Sequence, residues 1–227
     1  MKDGSVTDAE TIRQITLLAD NRLYPKIRKG FEVAGLYPHI VKGYDVRPDF
    51  DHIKKYVDDD NVFNIYVFGS RLYGTATAES DVDMIMVVRE WFDSEDINTH
   101  VYTESQFQLL LDRFDIQSME CISAPKYAVL KNSRPFSVSS IDKTKLRVSI
   151  STIASNSWVK GKKKLTVAGD YDMHLAIKSV FHSLRIIDYG IQIATSGKIQ
   201  NFGSMNYVLD DMKKMSESYQ REELWQK

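Results

Sequence analysis

Two aspartates stand inside an apolar run, Ser80-Asp81-Val82-Asp83-Met84-Ile85-Met86-Val87-Val88. Alternate residues of an extended chain point to the same side, so a strand here sets both carboxylates next to each other. Neighbouring carboxylates repel, and burial makes the repulsion worse. A divalent cation between them removes the conflict, and hard oxygen ligands suit Mg²⁺ or Mn²⁺ better than zinc. The plainer alternative is an exposed strand start whose aspartates face water.

Upstream, Gly69-Ser70-Arg71 follows the β-type run Asn64–Phe68. A glycine directly after a strand lets a phosphate come close to the backbone. The free N–H groups of a helix or turn starting there add anion affinity. The Ser70 hydroxyl can bond a phosphate oxygen, and Arg71 brings positive charge. Gly69 and Gly74 have the separation of a Walker A loop, but Thr75 stands where the lysine belongs, which argues against a P-loop. A glycine-rich turn explains the glycines alone, but not the paired carboxylates at this distance.

The elements that must position these residues follow from periodicity. Strands are expected over Asn64–Phe68, Val82–Val88 and Ile116–Ile122, and amphipathic helices over Thr7–Ala19, Arg47–Val57 and Glu104–Phe114. Lys145–Val159 and Met173–Thr195 read as long helices joined by a lysine-rich loop, and Leu209 begins a charged terminal helix. The chain is thus α+β first and helical afterwards, with a boundary near residue 140. On the helix Met173–Thr195, Lys178, His182, Arg185 and Tyr189 share one stripe, and Ile177, Val180, Leu184, Ile187 and Ile191 form the opposite, core side. Pattern alone makes the cationic stripe a solvated face.

The order strand, Gly-Ser, helix, then Ser-Asp-x-Asp on the next strand resembles the DNA polymerase beta-type nucleotidyltransferase superfamily. It stands here as Gly69-Ser70-Arg71-x-x-Gly74 followed by Ser80-Asp81-Val82-Asp83. The helix Glu104–Phe114 with a following glutamate, Glu120, is similar to the YcgL-like branch of bacterial and phage nucleotidyltransferases, although the Asn-Pro turn of that branch is missing. The stretch from Tyr171-Asp172 through Lys178, His182 and Arg185 carries a second likeness to the same branch.

The resemblance implies a small mixed sheet of the polymerase-beta type with flanking helices, followed by a helical C-terminal part. Residues 1–140 would be the nucleotidyltransferase domain with an N-terminal helical extension, and 141–227 a helical domain completing the nucleotide site. It implies transfer of a nucleoside monophosphate from an NTP such as ATP to an acceptor hydroxyl, with release of pyrophosphate by a two-metal mechanism. Asp81 and Asp83 would hold Mg²⁺ or Mn²⁺. Glu120, with Asp115 in reserve, would be the third carboxylate, sharing a metal and taking the acceptor's proton. Gly69, Ser70, Arg71 and Ser80, with Lys178, His182 and Arg185, would bind the nucleotide. For Glu120 the alternative is a salt-bridged strand residue. Other histidines, at positions 39, 52, 100 and 174, show no metal-ligand spacing.

Bulk composition sets outer limits. Of 227 residues, 43% are hydrophobic and 27% charged, as in ordinary globular chains. Thirty Lys+Arg against 31 Asp+Glu leave a net charge of −1, so no global basic field points to nucleic acid. The single cysteine, Cys121, forbids an internal disulfide and fits a reducing, cytoplasmic setting. No apolar run approaches the ~18 residues of a membrane span. The acceptor stays open between an RNA 3′ end, a protein and a small molecule. A non-catalytic NTP-binding module and a protein-interaction module on the same fold are the rival readings.

Overall fold

Val62–Phe68, the run VFNIYVF, is buried at every position and forms β1, the strand on which the sheet is built. The computed structural model describes residues 51–77 and 80–218. The expected helix Thr7–Ala19, the first residues of Arg47–Val57 and the end of the terminal helix lie outside them.

The described elements are α1 (Asp51–Val57), β1, α2 (Ser70–Tyr73), β2 (Asp83–Val88), β3 (Thr99–Thr103), α3 (Glu104–Asp112), α4 (Ile116–Ser123), β4 (Val129–Asn132), α5 (Lys143–Thr166), α6 (Met173–Ser196) and α7 (Asn206–Ser218). The four strands form one mixed sheet in the order β3-β2-β1-β4. β1 pairs antiparallel with β2 and β4, and β2 pairs parallel with β3. This is a mixed α and β architecture with a helical C-terminal part, as the resemblance implies. Two of the strands, β3 and β4, were not among the expected elements.

The chain divides into two compact units. One runs to Leu111 and resumes over Glu120–Ser137, and the other holds Asp112–Met119 and continues from Val138. In the first unit, β1 and β2 supply Ile65, Val67, Met84, Met86, Val87 and Val88, each 0% exposed. Burying such side chains is worth about 1.5–3 kcal/mol each, so these central strands dominate the stability of the sheet. Asn64, also fully buried, ties the sheet to the chain after β4. Its Oδ1 accepts from the N–H groups of Ser133 and Arg134 at 3.0 Å each, and its Nδ2 donates to the Arg134 carbonyl at 2.6 Å.

Ile116–Ile122 corrects the sequence reading, because it is helical and not a strand. Ile116, Ser118, Met119, Glu120 and Cys121 are all buried, so tertiary burial on several sides, and not an amphipathic period, accompanies this helix. Asp115 starts this helix. Its Oδ1 accepts from the Ser118 N–H at 3.1 Å, and the Ser118 hydroxyl donates to the Asp115 carbonyl at 2.8 Å.

In the second unit, α5 and α6, 24 residues each, form the main packed pair. The lysine-rich segment Lys160–Lys164 is not a loop but the last turns of α5. Its glycine marks where α5 crosses closely over α6. A Cβ on Gly161 would lie 2.6 Å from Val180 Cγ2 and 3.1 Å from the Ala176 carbonyl oxygen, so only glycine admits this close crossing. Asp142 and Asp172 cap the two helices, Asp142 accepting from the N–H groups of Thr144 and Lys145 and Asp172 from that of Leu175.

The core side of α6 matches the expected one at Ile177 and Val180, which are buried, but departs from it further along. Ile187 and Ile191 are 44% and 59% exposed, while Arg185 and Tyr189 are buried. Tyr189 donates its hydroxyl to the Phe202 carbonyl at 2.6 Å, which satisfies the polar end of an otherwise apolar ring.

Candidate active site

β1 ends at Phe68, and the chain turns into α2 at Gly69 with φ 72° and ψ −154°, a conformation open almost only to glycine. Phe68 pairs with Asp83 across the β1–β2 ladder, so the turn lies beside the first residue of β2. A Cβ at Gly69 would stand 2.0 Å from Asp83 Oδ2. The missing side chain is the space that the Asp83 carboxylate occupies. Ser70 opens α2 and is half-buried, and its carbonyl accepts from the Thr75 N–H at 2.9 Å, closing the turn.

Asp83 is half-buried, and Asp81, just before β2, is exposed. Arg71 organises the segment between them and α2. Only 3% exposed, it donates from Nε to the Asp81 carbonyl at 3.0 Å and from Nη2 to the Ser80 carbonyl. Burial pulls its guanidinium below the usual arginine value, while the nearby carboxylates of Asp83 and Asp81 pull the other way. The Arg71 charge is therefore spent on holding the aspartate loop and offsetting its negative field, a role not anticipated from the sequence. Ser80 is likewise built into the turn, its Oγ accepting from the Thr77 N–H at 2.8 Å.

Glu120 is 1% exposed on helix α4, and the Tyr73 hydroxyl donates to its Oε2 at 2.8 Å. Among the described residues, no three His, Cys, Asp or Glu side chains come together as a metal-binding group. Asp81, Asp83 and Glu120 therefore do not form a three-carboxylate cluster. Asp115 is engaged in capping α4, and burial raises its pKa above the usual carboxylate range.

The donor set nevertheless suits Mg²⁺. Two carboxylates two residues apart are hard oxygen donors, and this ion is usually held by one or two carboxylates with phosphate oxygens and water completing its octahedral shell.

Lys178, His182 and Arg185 gather within the second unit. Arg185 Nη2 lies 2.7 Å from His182 Nδ1, and its guanidinium lies 5.3 Å from the Phe181 ring centroid. Burial, then the positive charges of Arg185, Lys160 and Lys178, push the His182 imidazole down to about 4. At neutral pH His182 is thus uncharged and accepts at Nδ1 from Arg185. Lys160 joins this group because Gly161 brings the end of α5 against α6 at Ala176 and Val180. The sequence had given it only to a lysine-rich loop.

No curated protein and no solved structure matches the chain. Residues 51–136, which hold the whole sheet with its Gly-Ser turn and both aspartates, match the family model "Polymerase beta, Nucleotidyltransferase". Residues 51–136 are therefore similar to a nucleotidyltransferase domain of the polymerase beta superfamily.

Proposed function

We propose that the protein transfers a nucleoside monophosphate from an NTP to an acceptor hydroxyl and releases pyrophosphate. The observation that carries this reading is the fit of the Asp83 carboxylate against the bare Cα of Gly69. One turn thereby presents a phosphate-binding backbone, the Ser70 hydroxyl and a hard oxygen ligand together. Asp81 and Asp83 would hold Mg²⁺, which when bound supplies Lewis-acid polarisation of the phosphoryl oxygens. Gly69 and Ser70 would orient the phosphate chain, and buried Arg71 would keep the aspartate loop in position. Within the helical unit, Lys178, Arg185 and neutral His182 would form a phosphate-binding set.

The test uses α-³²P-labelled NTPs with Mg²⁺ or Mn²⁺, total cellular RNA and lysate protein, followed by separation of RNA, protein and small-molecule fractions. Label in one fraction, lost in Asp81→Ala, supports transfer and names the acceptor class. Label that survives in both Asp81→Ala and Asp83→Ala rejects it. The engagement of Glu120 with Tyr73 favours one second reading, NTP binding without turnover. Tight NTP binding by the wild type with no label in any fraction would select that reading.

A further inference from the structure

We infer that His100, on the edge strand β3, is the residue that takes the proton from the acceptor hydroxyl; this rests on the transfer reading above. Two registers fix its place. Phe68 pairs with Asp83 across β1 and β2, and Ile85 pairs with His100 across β2 and β3. Paired residues share a sheet face, and so do residues two apart on one strand. Phe68, Asp83, Ile85 and His100 therefore all point from the same face. The ring contact between Phe68 and His100, 5.9 Å between centroids, agrees with this. His100 is diagonal to Asp83 across the parallel β2–β3 pair, one strand spacing to the side and two residues along, roughly 8 Å away. Side chains so placed can reach one small group from two sides.

The surroundings suit an acceptor. His100 is exposed, whereas Glu120 is buried and bound by Tyr73. His100 also borders a cleft of about 290 Å³ at the sheet edge, lined by Trp91, Phe92, Asp96 and Tyr102 among others. That volume admits a hydroxyl-bearing group of several heavy atoms. In the step, an imidazole nitrogen of His100 takes the acceptor O–H proton while the oxygen forms a bond to the α-phosphorus. The bond from that phosphorus to the oxygen bridging to the β-phosphate breaks, and pyrophosphate leaves with the electron pair. The imidazolium then returns its proton to solvent.

The experiment compares the full-length wild type with His100→Ala in the label-transfer assay, alongside Mg²⁺-NTP affinity and circular dichroism. General-base removal costs on the order of 100-fold in transfer. NTP affinity is expected to stay at its wild-type level, and added free imidazole is expected to restore much of the lost rate. His100→Gln should be slow and gain nothing from imidazole if the glutamine fills the site. Transfer by His100→Ala close to wild type overturns the inference, and so does a loss that imidazole does not restore. A wild type that transfers no label overturns the transfer reading itself and this inference with it. An active wild type with an indifferent His100 overturns only the role of His100.

Discussion

The Asp83 carboxylate fills the place where a side chain on residue 69 would be: a Cβ there would stand 2.0 Å from its Oδ2. Gly69 is thus required twice, by its positive φ and by the carboxylate packed on its Cα.

Gly69→Ala is therefore expected to lose about 1–3 kcal/mol of stability from backbone strain and to displace Asp83. Denaturant unfolding should register the first effect. A weakened Mn²⁺ dependence of NTP binding, followed by titration, should register the second. Stability and NTP binding equal to wild type would show that the turn does not need glycine.

Asp81→Asn and Asp83→Asn are expected to abolish Mg²⁺-dependent transfer with little change in melting temperature, because Asp81 is exposed and Asp83 half-buried. Arg71→Ala should do the reverse to stability. Removing a buried cation from the Ser80 and Asp81 carbonyls costs about 1.5–3 kcal/mol per lost bond and frees the loop. Thermal melts of the three variants, run side by side, separate ligands from the residue that supports them.

Tyr73→Phe removes the donor to Glu120 Oε2 in a site where Glu120 is 1% exposed. A buried acceptor deprived of its partner costs about 1–3 kcal/mol. Chemical denaturation of Tyr73→Phe measures that loss, and Tyr73→Phe combined with Glu120→Gln should recover part of it.

His182 sets a pH dependence. Its folded pKa is lowered from 6.5 to about 4. Below pH ~6.5 the unfolded chain takes up a proton that the folded chain refuses, so stability falls as pH drops from there toward 4. The full span corresponds to about 3 kcal/mol. Urea midpoints measured across that window should decline in the wild type and flatten in His182→Gln. Lys178→Ala should raise the His182 pKa, read by NMR titration of the ring.

Gly161→Ala tests the helix pair. In an exposed helix this change gains about 1 kcal/mol. Here the added Cβ meets Val180 Cγ2 at 2.6 Å and a backbone oxygen at 3.1 Å, so a net loss of about 1–3 kcal/mol is expected. A more stable variant in calorimetry would mean that α5 and α6 separate without cost.

The sequence by itself determined the strands β1 and β2, the long helix α6 almost to the residue, and the Gly-Ser turn with its paired aspartates. Each of these is written locally: continuous apolar runs, a 3.6-residue period, and residue types at fixed short spacing. Tertiary structure alone decided the rest. Ile116–Ile122 carries apolar residues compatible with either period, and it folds as a helix capped by Asp115. The lysines after Val159 look like a solvated loop until Gly161 is seen packed on Val180. Arg71 reads as a phosphate ligand in sequence, and only the folded loop turns it inward to two carbonyls. Arg185 and Tyr189 sit in the core, and Ile187 and Ile191 at the surface, because neighbouring elements and not the helix period choose which face is covered. His100 had no sequence signal at all. Its position beside Asp83 is set by the pairing of β3 with β2, a long-range register that no local spacing encodes.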